Sequence, residues 1–138
     1  MNGFNKSIQT AGLIVLKEDR LLLAYSLNKK AWYLPGGKID PEESPLEALI
    51  REIKEELSVA LSPDAVTPFY HISAPAFGEP GTQMEQHCFI GPSDLAYKAA
   101  EEIKAIRYFS KEEYLSQEPI VPGVIVAFEK LIHDGYIS

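Results

Sequence analysis

A glycine pair, a short polar turn and a well-specified helix, together residues 36–59, constrain this chain more than any other stretch. Ser44 carries the side-chain oxygen that a helix start needs, and Pro45 suits the first helical position. Glu47 stands three residues after Ser44, which closes a capping box. Leu46, Leu49, Ile50, Ile53 and Leu57 then recur at the spacing of one buried stripe, so the helix must lie against an apolar surface. Glu52, Glu55 and Glu56 fall at i, i+3 and i+4, which puts three carboxylates on a neighbouring face. Like charges four residues apart repel. A helix shaped only for solubility more often places a cation there, as Arg51 stands to Glu47. Two readings follow from these residues alone: a solvated acidic face, or a set of hard oxygen ligands of the kind Mg²⁺ and Mn²⁺ prefer.

Net charge bears on that choice. At −7 the chain offers no basic patch for polymeric nucleic acid. An acidic protein that handles acidic phosphates also needs cations between the two, so phosphate chemistry here requires metal. With 138 residues, 46% of them hydrophobic, residues 1–138 are expected to form a single domain with a substantial core. No apolar run approaches the roughly 18 residues of a membrane span. The start Met1-Asn2-Gly3-Phe4-Asn5-Lys6 lacks the charged-then-apolar plan of a signal peptide. The lone Cys88 excludes an internal disulfide, reads as a buried inert thiol and suits a reducing cytoplasm.

The rest of the chain alternates strand and helix patterns. Residues 8–17 and 20–27 read as a hairpin around Glu18-Asp19, and 32–34 as a short strand running into the glycine turn. Beyond the helix, 66–73, 83–90 and 103–109 read as strands, with a helical turn at 94–99. Residues 74–82, rich in Pro and Gly, read as a mobile substrate loop. Ser110 and Glu113 start another capped helix, and 121–133 has helical apolar spacing. Three helices among about six strands predict an α/β fold with a mixed sheet covered on both faces.

The offsets within residues 37–59 then become specific. Gly37 is followed after five residues by Glu43, and after seven more by Arg51-Glu52-Ile53-Lys54-Glu55-Glu56-Leu57-Ser58-Val59. This resembles the Nudix box at every defining position but one, where Ser58 replaces a glycine. The lead-in Trp32-Tyr33-Leu34-Pro35-Gly36-Gly37 is similar to that family as well. Glycine takes a left-handed helix end without penalty, so serine there is expected to cost about 1 kcal/mol and to touch stability rather than catalysis.

The resemblance implies a Nudix-type α/β/α sandwich with a mixed central sheet, and metal-dependent hydrolysis of a nucleoside diphosphate linked to another group. Carried over position by position, Glu52, Glu55 and Glu56 are the ligands of Mg²⁺, or of Mn²⁺ in its place, joined by a backbone carbonyl at Gly36 or Gly37. Glu43 and Arg51 match the pair that ties the loop to the helix; a plain ion pair of Arg51 with Glu47 is the simpler reading. The general base is expected outside the box, at Glu101 or Glu102, with Glu85 as a further candidate. Trp32, Lys38 and Glu85 are the candidate substrate contacts. His71, His87 and His133 lack ligand spacing and read as structural.

The expected substrate is a small nucleotide, foremost a nucleoside triphosphate, oxidised ones included, split to a monophosphate and pyrophosphate by a monomer or homodimer. An alternative is ADP-ribose or another nucleotide sugar, since relatives of that subgroup often carry a proline where Pro75 falls. A catalytically silent nucleotide sensor is the alternative of another class. Such domains usually lose the box glutamates, and this chain has all of them.

Overall fold

A computed structural model describes residues 6–138. The stretch Met1 to Asn5, read above for a leader, lies outside the described residues. Among the described residues, eight strands and three α-helices follow one another. The strands are β1 (Lys6–Ile14), β2 (Leu16–Lys17), β3 (Arg20–Ser26), β4 (Ala31–Tyr33), β5 (Gly36–Lys38), β6 (Thr67–Pro75), β7 (Thr82–Ile90) and β8 (Ile103–Phe109). The helices are α1 (Pro45–Leu57), α2 (Lys111–Leu115) and α3 (Pro122–His133).

The strands divide over two sheets. One has the order β5-β1-β7-β6 and is mixed, because β1 and β7 run parallel while their outer neighbours are antiparallel. The other is antiparallel, with β2, β4 and β8 all paired to β3. The expected single strand over 8–17 is broken at Val15, where the chain passes from the first sheet to the second and the Val15 carbonyl accepts from the Leu22 amide at 3.0 Å. Residues 94–99 form no helix, and the loop expected over 74–82 shortens to 76–81 because β6 and β7 extend into it.

Strand alternation sends neighbouring residues into two separate cores. Leu13 and Leu22 enter one core, beneath Leu49, Ile53 and Leu57 of α1. Ile14, Leu21 and Leu23 enter the other, against Phe109, Tyr114 and Phe128 of β8, α2 and α3. Strands covered on both faces read as continuous apolar runs, which is why Leu13–Leu16 and Leu21–Leu23 show no alternation. Each fully buried leucine or isoleucine contributes about 1.5–3 kcal/mol, and the α1 stripe supplies three such side chains, Leu49, Ile53 and Leu57.

The α1 start is as its sequence predicts. Ser44 Oγ accepts from the Glu47 amide at 3.1 Å, and Glu47 Oε1 accepts from the Ser44 amide at 2.8 Å. Its end falls on Ser58 in the left-handed region, φ 60°. Cys88 is buried, and burial pushes its thiol up to about 12. Among the described residues no helix is long and apolar enough to cross a membrane.

Candidate active site

Two glycines bring the turn before α1 against the helix. Gly36 has φ 139°, and a Cβ there would lie 2.0 Å from the Ala11 carbonyl oxygen. At Gly37 a Cβ would lie 2.6 Å from Glu52 Cδ, so the carboxylate of Glu52 occupies the space a side chain would take. The amide of Gly36 donates to Glu56 Oε1 at 3.1 Å. Glu56 is 7% exposed, an unusual place for a carboxyl group. Burial pushes its acid up to about 8; the Gly36 amide opposes that, and the charges of Glu52, Glu102 and Glu55 add to it. The same burial raises Glu52, with Arg51 pulling the other way.

Arg51 is the hub that holds these groups. Its Nε and Nη2 reach both oxygens of Glu43 at 2.7 and 2.9 Å, and its Nη1 donates to Glu52 Oε1 at 2.8 Å. Nη2 also donates to the Lys38 carbonyl at 3.1 Å. Planar, bidentate pairing of this kind is specific to arginine. With both oxygens on Arg51 and one accepting from the Asp40 amide, the Glu43 carboxyl is held down to about 2. Glu47 takes no part, because its carboxylate is spent on the Ser44 amide.

A cavity of about 390 Å³ opens between the two sheets. Glu52, Glu56 and Glu102 line it from one side, with Gly36, Gly37 and Lys38 beside them. Glu102 Oε2 accepts from Asn28 Nδ2 at 2.6 Å and from Ser26 Oγ at 3.4 Å. The loop 76–81 closes another side with Phe77 and Glu79, and Glu79 bridges Lys29 at 3.8 Å and Lys38 at 3.6 Å.

The donor set suits a hard divalent ion: several carboxylates on one cavity, with backbone carbonyls at the glycine turn. Among the described residues no three Asp, Glu, His or Cys side chains are gathered tightly enough to hold a metal. Glu52 turns to Arg51, Glu56 to Gly36 and Glu102 to Asn28. Burial raises Glu56 most and the charges of Glu52, Glu102 and Glu55 add to it; a cation would offset both, so the chemistry of these residues fits the ion.

The family model of the NUDIX domain matches residues 6–129. This chain belongs to the Nudix family. A CTP pyrophosphohydrolase of Escherichia coli is 29% identical over 128 residues, 90% of either chain. Other curated relatives are matched over about half of their own length or less. Among solved structures, a MutT NUDIX hydrolase of Burkholderia pseudomallei superposes with a TM-score of 0.74 at 22% identity, over 92% of this chain and 99% of that one. A bifunctional NMN adenylyltransferase/ADP ribose pyrophosphatase of Francisella tularensis, in complex with AMP and a Mn ion, gives 0.64 at 18% identity, over 95% of this chain and 42% of that one.

As a Nudix hydrolase, the chain brings some of the residues singled out above to the cavity and leaves others away from it. Glu52, Glu56, Glu102, Gly37 and Lys38 line it. Glu55 does not: its side chain is 54% exposed, with Oε2 3.8 Å from Arg51. Trp32 does not either, because alternation along β4 turns it between Tyr25 and Phe109 and gives the cavity to Tyr33. Glu85 points to the opposite face of β7, where His71, Ser73 and Gln83 hold it and lower its acid to about 2. Its neighbours Met84 and Gln86 face the cavity instead. Tyr33, Asn28, Thr10 and Gln86 also line the cavity, and no motif in the sequence singles them out as site residues. For the three on strands the only signal there is strand parity, which needs the register to be known; Asn28 lies in the turn between β3 and β4.

Proposed function

We propose that this chain hydrolyses the phosphoanhydride of a nucleoside triphosphate, oxidised ones included, to a monophosphate and pyrophosphate with the help of Mg²⁺. The observation that carries the reading is Glu56, a buried carboxyl facing a nucleotide-sized cavity beside Glu52 and Glu102, with its acid pushed up to about 8. Glu52, Glu56 and the Gly37 carbonyl would hold Mg²⁺ or Mn²⁺, with Glu55 joining them from outside the lining. Such an ion supplies charge neutralisation at the phosphates and a more acidic water.

The chain's own groups do the rest. Arg51 orients Glu52 and ties the turn to α1 without touching substrate. Lys38 and Lys29 border the cavity and draw phosphate oxygens, which the −7 chain otherwise repels. Glu102 is the candidate base. Its Oε2 is held by Asn28 and Ser26, and the other oxygen, Oε1, accepts no hydrogen bond among the described residues and can take a proton from the attacking water. The same reading takes residues 1–138 as one domain, working in the cytoplasm as a monomer or homodimer.

The test is phosphate release with Mg²⁺ and with chelator, coupled to a pyrophosphatase for a panel of nucleoside triphosphates and 8-oxo-dGTP, and to alkaline phosphatase for ADP-ribose, whose two products are monophosphate esters. Turnover of a triphosphate that stops on chelation is expected. Turnover of ADP-ribose alone would move the reading to the nucleotide sugars, and binding without turnover would make the chain a sensor.

A further inference from the structure

Part of the cavity has no role in the chemistry described so far. Thr10 Oγ1 and the Tyr33 hydroxyl are buried, and neither has a hydrogen-bond partner among the described residues. Thr10 is 6% exposed and lines the cavity. It sits on β1, level with Gln86 on β7 and Lys38 on β5. Gln86, 8% exposed, lays its amide across Gly12, where an added Cβ would come within 2.9 Å of Nε2. Gly12 therefore leaves the room that amide occupies.

Around these polar groups the wall is apolar: Ile8, Ala24, Leu34, Phe77, Met84 and Ile103. Phe77 meets Tyr33 edge to face, with ring centroids 6.2 Å apart. Burial raises the Tyr33 phenol to about 12, which keeps it a neutral donor at physiological pH. Buried hydroxyls without partners cost a free protein stability. Both belong to residues that line one cavity, beside an amide and aromatic walls, and a planar, uncharged heterocycle with its own donors and acceptors is the kind of group that would pair them.

From this geometry we infer that Thr10, Tyr33 and Gln86 read the nucleobase, and that they, not the glutamates, set which nucleotide the enzyme prefers. The inference deepens the nucleotide reading above and rests on it. The phosphates then lie toward Glu52, Glu56 and Lys38, and the base lies among Thr10, Tyr33, Gln86 and the apolar wall. Free hydroxyls pair when the base enters, so their hydrogen bonds favour the complex and not the empty protein.

The test compares wild type with Thr10→Val, Tyr33→Phe and Gln86→Leu. Each is assayed with Mg²⁺ against the four common ribonucleoside triphosphates, 8-oxo-dGTP and a base-free 1′,2′-dideoxyribose 5′-triphosphate. For the preferred nucleotide, kcat/KM is expected to fall about tenfold or more, mainly through KM. The poorer bases and the base-free compound should change less, so the ranking flattens. Metal-free Thr10→Val and Tyr33→Phe should melt at or above wild type, since each removes an unpaired buried hydroxyl. Variants that keep the wild-type ranking, or that lose as much on the base-free compound, overturn the inference alone. A lower melting temperature in both hydroxyl variants also overturns it, because the hydroxyls would then serve the fold. Wild type that hydrolyses no nucleotide overturns the nucleotide reading with it.

Discussion

Replacing Glu56 with glutamine removes an ionisable group and leaves the shape, and its consequence for stability follows from the site. The glutamine oxygen still accepts from the Gly36 amide, as Glu56 Oε1 does at 3.1 Å. In the folded protein the Glu56 carboxyl titrates at about 8, against a reference of 4.5. The folded state therefore holds this proton more tightly than the unfolded chain. Its contribution to stability is full below the unfolded value and is lost as pH rises toward 8. Working the linkage through, the acid costs the metal-free protein about 3 kcal/mol at pH 7 relative to a group that never ionises. For a chain of this size that is about 10 °C in melting temperature. Metal-free Glu56→Gln should lie within about 1 kcal/mol of wild type near pH 5 and pull ahead steadily to pH 8. Burial lowers His87, which gives an opposing slope, but His87 is present in both proteins and cancels in the difference. Saturating Mg²⁺ should raise wild type and not the variant, while the variant loses phosphate release. Melting curves from pH 5 to 9 in chelator decide it. A variant less stable than wild type at pH 8, or a gap that ignores pH, would refute the idea that Glu56 is held against its own charge.

Other expected outcomes concern the surroundings of the site. Ser58→Gly should stabilise by about 1 kcal/mol, because Ser58 sits at φ 60°, and should leave kcat nearly unchanged; denaturant midpoints and turnover check both. Arg51→Lys cannot span Glu43 and Glu52 together, so kcat should fall about 10- to 100-fold with KM little moved, read from steady-state kinetics. Glu79→Gln frees Lys29 and Lys38 from a carboxylate that competes with phosphate, so KM should drop modestly and become more salt-sensitive. An unchanged KM across ionic strength would leave Glu79 a bystander.

Comparison of sequence and structure separates local from distant causes. The start of α1, its buried stripe and the offsets of Glu52, Glu55 and Glu56 were legible because each depends on residues within a few positions of one another. The choice of Glu43 over Glu47 by Arg51 was also within reach. The capping box already claims Glu47, which leaves Glu43 as the partner. The break at Val15 was hidden by an apolar run that looks the same whether one sheet or two receives it.

What residues 36–59 determined unaided is the kind of chemistry: a capped helix with glutamates at fixed spacing behind a glycine turn, all of it short-range. What the tertiary structure alone decided is which groups meet the substrate. Thr10 comes level with Gln86 only through the parallel pairing of β1 with β7. Tyr33 rather than Trp32, and Gln86 rather than Glu85, reach the cavity by the parity of strands whose register is set by distant partners. A shift of one residue in either strand would exchange those pairs, and no neighbouring side chain records which way it went.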